Sequence, residues 1–172
     1  MIRLAHIDDL EQIWSLRLKT TELLKSRHID QWQYHKPERS TFIEDILAHE
    51  FYVYEKAHKI IGMITIRSGI EQTYIKIYDG KWRKDEAYYT IHRLAVDHNH
   101  LGKGIAKKMI TFAHDLAKIN GINYMRIDTH EDNHYAQNLF MSIGYIYTGY
   151  ILLEENHPGQ RKRLAYDIIL SR

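Results

Sequence analysis

Residues 88–106 read Tyr88-Tyr89-Thr90-Ile91-His92-Arg93-Leu94-Ala95-Val96, then Asp97-His98-Asn99-His100, then Leu101-Gly102-Lys103-Gly104-Ile105-Ala106. The run from Tyr88 to Val96 is rich in β-branched and aromatic residues, the composition of a strand. Asp97 to Lys103 is polar and contains glycine, which marks a loop. From Gly104 to Asn120 the apolar residues Ile105, Met109, Ile110, Phe112, Ala113, Leu116 and Ala117 form one helical stripe, with Lys107, Lys108, Asp115 and Lys118 largely opposite. Asn120-Gly121 stops that helix. Glycines in such a loop let backbone approach a ligand closely. The free N–H groups at the helix start then face an anion at the positive end of the dipole. Lys103, Lys107 and Lys108 add charge, so a phosphate or pyrophosphate is the natural partner. No G-x-x-x-x-G-K-[ST] occurs, and Lys107 replaces the third glycine of a dinucleotide fingerprint.

Outward from this stretch, Met1 to Ala5 reads as a short strand. Asp8 and Asp9 suit a helix N-terminus, and the apolar spacing from Leu10 predicts a helix to about Arg27. Ile29 to Pro37 reads as a loop. Thr41 with Glu44 has the capping-box pattern, predicting a helix from Phe42 to His49. Phe51 to Glu55 and Ile60 to Ile66 read as a hairpin, and Tyr74 to Tyr78 as a further strand option. Ile122 to Thr129 is a strand, His134 to Ile143 a helix, and Tyr145 to Leu153 and Arg163 to Leu170 two last strands. Strands and helices in this order imply a mixed sheet covered by helices.

The chain has 172 residues, a formal net charge of +2, and 12 His, and it reads as one domain spanning 1–172. That charge balance does not call for nucleic acid. With Cys 0, thiolate chemistry and disulfides are excluded. No apolar run approaches the ~20 residues of a membrane span, and Met1 to Asp9 lacks an apolar signal core. A cytoplasmic protein without a membrane partner is the expectation.

Asn133-x-x-Ala136-x-x-Leu139-Phe140-x-x-x-Gly144-Tyr145 is a second motif: a capped amphipathic helix feeding a strand. Together with the glycine loop, in this order, it resembles the GNAT superfamily of acetyl-CoA-dependent N-acetyltransferases. Leu94 to Val96 looks like the end of that family's fourth strand. Gly102 to Ala106 matches its pyrophosphate loop, and Asn133 to Tyr145 its second motif. The resemblance implies an α/β fold with a mixed, largely antiparallel central sheet flanked by helices. It also implies acetyl-CoA as co-substrate, with no metal. Pantetheine would pair with the backbone of Leu94, Ala95 and Val96, much as an added strand would. The N–H groups of Leu101, Gly102, Lys103, Gly104, Ile105 and Ala106 would hold the pyrophosphate. Asn133 would reach the pantetheine arm. An amine would attack the thioester directly, its carbonyl polarised by a strand-four N–H.

Two positions depart from the family pattern. Leu101 stands where Arg or Gln is usual, and Phe140, placed against the coenzyme, where many members carry a proton-donating Tyr. Tyr135, Tyr145 and Tyr147 lie nearby in sequence. Thr90 and His92 share a strand face. An imidazole, with a reference pKa of ~6.5, suits the base that frees an ammonium acceptor, and members of the family carry His on this part of strand four. A strand His held by hydrogen bonds is the plain alternative.

His130-Glu131-Asp132-Asn133-His134 spells H-E-x-x-H, the zinc peptidase pattern. A strand runs into it and Asn133 starts the helix, so the two His do not share a helix face. His98 and His100 read as solvated loop residues. Asp30, Gln31, Trp32, Tyr34, Tyr74, Tyr78, Asp79 and Trp82 are aromatics and polar groups that suit a cationic amine, or else core or a homodimer surface. The resemblance implies a small-molecule or peptide amine as acceptor, and the alternative function is an acyl-CoA-binding regulatory module with little catalysis.

Overall fold

The computed structural model describes residues 1–171. Strands β1 (Ile2–Leu4), β2 (Phe51–Lys56), β3 (Lys59–Ser68), β4 (Tyr89–Val96), β5 (Tyr124–His130), β6 (Ile146–Leu152) and β7 (Lys162–Ile169) form one seven-stranded sheet in the order β1-β2-β3-β4-β5-β7-β6. Four helices accompany it: α1 (Leu10–Ser26), α2 (Arg39–Leu47), α3 (Ile105–Ile119) and α4 (His134–Ile143). All neighbouring strands are antiparallel except β4 and β5, which makes the sheet mixed and largely antiparallel, as the resemblance implies. No helix among the described residues is long and apolar enough to cross a membrane.

Alternation along the strands creates two apolar faces. Ile64, Ile66, Ile91, Met125 and Ile127 pack against Ile105, Met109 and Ile110 of α3 and Phe140 of α4. A Cβ at Gly62 would lie 2.9 Å from Met109 Sδ, so glycine there sets how closely α3 rests on β3. On the other face, Val53, Met63 and Ala95 pack against Ile13 and Leu16 of α1 and Phe42 and Ile46 of α2. Residues 69–88 fold back over this second face, where Tyr74 and Tyr88 join Tyr124, Ile151 and Ala165.

Three local features differ from the sequence expectations. The α2 helix begins at Arg39 after Glu38, with no side-chain cap, so Thr41 sits inside the first turn and the Thr41–Glu44 box is not formed. Tyr74 to Tyr78 is not a strand: Gln72–Tyr74 is a 3₁₀ turn, and Tyr78 makes a single bridge to Tyr150. The β4 strand is not regular, because Arg93 adopts a left-handed backbone (φ 51°) at a bulge. Met63 opposes Ala95 and Thr65 opposes His92, leaving Arg93 and Leu94 against Ile64 alone. Arg93 bonds the Asp45 carboxylate through Nε at 2.6 Å, which offsets the backbone strain.

Parallel pairing of β4 with β5 is confined to Tyr89↔Met125 and Thr90↔Arg126. The Arg126 guanidinium in the last pair stacks on Tyr88 at 4.0 Å and Trp82 at 4.5 Å. From Ile91 onward the strands part, and the edge of β4 facing β5 has no strand partner.

Inside the core, His114 of α3 is 8% exposed and its Nε2 meets the Tyr145 hydroxyl at 2.9 Å. Burial, then the Lys118 charge, push its pKa down to about 4. Burial and the Arg163 charge lower His130 and His157 as well. These imidazoles are neutral when folded and take up protons on unfolding. The stability they contribute is complete above the unfolded value of ~6.5 and falls as pH drops below it. Denaturant unfolding should show lower stability at pH 5 than at pH 7. His114→Gln should flatten that slope by up to ~1.4 kcal/mol per pH unit, the contribution of one proton. An unchanged slope would mean that His114 does not titrate with folding.

Candidate active site

The parting of β4 and β5 opens a cleft of about 910 Å³. Its walls include Ile91 to Val96 of β4, Ile127 to Thr129 of β5, the loop from His100 to Gly104, and the starts of α3 and α4. Residues 31–37 and 153–157 close it from the face that carries His92.

Gly104 caps α3 in the left-handed region (φ 74°) with no side-chain hydrogen bond, so the first N–H groups of α3 are left uncapped. Gly102 has φ 73°, and a Cβ on either glycine would meet nothing within 4 Å. The loop therefore presents open space in front of free donors, which is what an anion needs. Leu101 is 42% exposed and offers only backbone. His100, by contrast, is not a solvated loop residue: it lines the cleft, and its Nδ1 is buried without a hydrogen-bond partner. The free edge of β4 and this loop together fit a strand-like arm ending in a pyrophosphate, and among the described residues no group of three His, Asp or Glu could hold a metal.

At the other helix start, Asn133 Oδ1 accepts the Ala136 N–H at 3.1 Å, and its Nδ2 donates to Gln31 Oε1 at 2.8 Å. That ties α4 to the loop after α1. His130 ends β5 and His134 opens α4, so the H-E-x-x-H residues do not share a helix face. Phe140 lines the cleft and packs on Tyr145 and Tyr166. The Tyr145 hydroxyl is held by His114, and Tyr147 is exposed on β6, which leaves Tyr135 as the one of the three tyrosines in the cleft wall. Arg27 stacks on it at 3.7 Å.

His92 Nε2 lies 2.8 Å from Glu71 Oε1, and the Thr90 hydroxyl reaches the same oxygen at 3.4 Å. Burial would raise the Glu71 pKa, but the hydrogen bond and charge of His92, with Arg67, outweigh it and hold the carboxyl at about 2. Glu71 is thus an acceptor only, so in neutral His92 the proton sits on Nε2 and the lone pair on Nδ1. Arg67 joins Glu71 at 3.4 Å, Glu50 at 2.8 Å and Asp45 at 2.8 Å. Asp45, 2% exposed, also takes Arg93 and the Thr65 hydroxyl. Opposite His92, the Tyr74 hydroxyl donates to Asp128 of β5 at 2.5 Å, and its ring lies 6.2 Å from the imidazole. Burial and the Asp128 charge push the Tyr74 phenol well above its ordinary value, which keeps it a donor. Glu71 escaped sequence reasoning because it lies in an irregular segment and reaches His92 only through the fold.

A strand-four edge left free, an uncapped glycine start and an imidazole in the cleft wall held by a carboxylate are the features of an acyl-CoA-dependent acyltransferase. The model of the Acetyltransferase (GNAT) family matches residues 11–145, and the chain belongs to that family. It is similar to a GNAT-family acetyltransferase from Streptococcus agalactiae at 31% identity and a TM-score of 0.87, covering 100% of this chain and 96% of that one. The fold is shared with the PaiA N-acetyltransferase of Thermoplasma acidophilum in complex with coenzyme A (17% identity, TM-score 0.69, 98% of each chain). It is shared too with the ribosomal-protein-S18-alanine N-acetyltransferase of Escherichia coli (12% identity, TM-score 0.68, 100% of this chain and 94% of that one). No curated protein sequence matches the chain. Acetyl-CoA is the co-substrate.

Coenzyme A should raise the melting temperature of the wild type by mass action. Gly104→Ala and Gly104→Glu share the strain of a left-handed position, but only Glu brings a like charge to the phosphates. The melting shift should persist in Gly104→Ala and vanish in Gly104→Glu. A full shift in Gly104→Glu would move the pyrophosphate away from this loop.

Proposed function

We propose that the chain transfers the acetyl group of acetyl-CoA to a primary amine of a small molecule or peptide by direct attack, with His92 as the base. The observation that carries this is the 2.8 Å contact of His92 Nε2 with Glu71, which is ionised throughout the working pH range. The carboxylate fixes the imidazole and stabilises the charge it gains on taking a proton from the ammonium. Thr90 shares the Glu71 oxygen and steadies the pair.

The coenzyme supplies an activated acyl group. The free edge of Leu94, Ala95 and Val96 would bind the pantetheine arm through backbone, and the N–H groups from Leu101 to Ala106 the pyrophosphate. Asn133 stands beside that path, its Oδ1 retaining a lone pair after capping α4. Phe140 gives an apolar wall. The bulge at Arg93 turns the β4 backbone so that an N–H can polarise the acyl carbonyl. An acyl-CoA-binding module with little catalysis is the second reading. It is favoured by Phe140, which has no proton to give, and by Tyr145, whose hydroxyl is engaged by His114.

An amine panel followed by thiol release separates the two. His92→Gln should lower kcat by ~10²–10⁴ with coenzyme A affinity nearly unchanged. Glu71→Gln removes the anion that fixes the ring and should lower kcat as well, again with coenzyme A affinity nearly unchanged. Wild-type rates in both variants would make His92 a structural residue. No thiol release with any amine would favour the binding module.

A further inference from the structure

A buried guanidinium lines the cleft without a counter-ion. Arg163 on β7 is 5% exposed. Its Nη1 donates to the carbonyl oxygens of Gln160 at 2.6 Å and Lys162 at 3.1 Å, while Nε and Nη2 have no hydrogen-bond acceptor among the described residues. No carboxylate of those residues lies within 4.0 Å of it, whereas the adjacent Lys162 pairs with Glu131 at 3.2 Å. Burial lowers the Arg163 pKa, and the more distant charges of Asp128 and Asp30 raise it. Both of those carboxylates are already used, Asp128 by the Tyr74 hydroxyl and Asp30 by the Gln160 N–H at 3.0 Å.

Register places this cation on the face that carries His92. Arg163 is paired with His130, Thr90 with Arg126, and residues two apart on a strand share a face. Thr90, His92, Asp128, His130 and Arg163 therefore look the same way. His130 is fully buried, its Nδ1 accepts the Asp132 N–H at 3.0 Å, and its Nε2 has no partner. Asp128 lies two residues from His130, about 7 Å along the strand. The face thus offers a carboxylate beside the base and, one strand step away, an unpaired guanidinium. Lys36, which pairs with Glu38, and Glu154 and His157 complete the titratable groups around it. A guanidinium this little exposed is poorly compensated without a counter-ion, and its fork matches a carboxylate in two parallel hydrogen bonds.

We propose that Arg163 binds a carboxylate of the acceptor, so that the enzyme takes an amine that also carries a carboxylate, as in a free amino acid or a short peptide. The ammonium then lies toward Asp128 and His92 and the carboxylate on Arg163. This rests on the acetyl-transfer reading above and names its substrate class.

The test pairs amino acids with their decarboxylated amines and their methyl esters, and adds short peptides with free or amidated C-termini. In the wild type, the free carboxylate should raise kcat/KM by about tenfold or more. Peptide and amino-acid arms tell the two sources apart. In Arg163→Gln and Arg163→Lys the ratio between acid and decarboxylated amine should collapse toward one. In parallel, calorimetry with N-acetyl amino acids and the matching N-acetyl amines, in the presence of coenzyme A, reads binding without turnover. Carboxylate-dependent binding without turnover would keep this inference and sink the transfer reading. Equal use and equal binding of acids and decarboxylated amines by the wild type would overturn the inference, whatever the variants do. So would a loss of coenzyme A affinity in Arg163→Gln, which would assign the guanidinium to the coenzyme.

Discussion

Two parallel strands that stay paired for only Tyr89↔Met125 and Thr90↔Arg126 determine the rest of this molecule. Beyond Thr90, the backbone groups of β4 that would meet β5 are unpaired, and leaving such groups dry is costly. The fold tolerates the break because each half of the sheet is held independently. Antiparallel pairing joins β2, β3 and β4 on one side and β5, β7 and β6 on the other. Arg126, stacked on Tyr88 and Trp82, fastens the halves at the point where they part. What remains open is a strand-shaped gap ending at an uncapped helix, and both features ask for the same ligand.

The charges around His92 are linked to one another and to the fold. Asp45 is 2% exposed and neutralised by Arg67 and Arg93. Removing Asp45 would leave Arg93 without a carboxylate, and breaking a buried pair in this way costs about 3–5 kcal/mol. The same Arg67 holds Glu71, and Glu71 holds His92. The bulge at Arg93, with its left-handed backbone, persists because Asp45 captures the side chain that the bulge turns aside. Helix α2, strands β3 and β4, and His92 are thereby set in place by one connected network.

The elements with local signals were legible in the sequence. The α3 stripe, the Asn133 cap and the Gly102 and Gly104 positions sit where their spacing puts them, because each is decided within a few residues. The Thr41–Glu44 box misled, since a helix boundary depends on what precedes it and α2 begins at Arg39. The bulge carried no glycine to announce it. Thr90 and His92 were readable as a shared face, but Glu71 and Arg163 were not readable as candidates for the site. Glu71 is 21 positions from His92, and Arg163 gains meaning only through its register with His130. His100 was misread for the same reason: nothing local says that its ring turns toward the gap.

The central claim is that the gap between β4 and β5, from Ile91 onward, receives the coenzyme along the β4 backbone. Amide hydrogen exchange with and without coenzyme A, resolved to single residues, tests it most directly. The account predicts added protection at the β4 amides between Leu94 and Val96 and at the first amides of α3, Ile105 to Lys107. Protection confined to other segments, with these amides exchanging as fast as in the free protein, would contradict it.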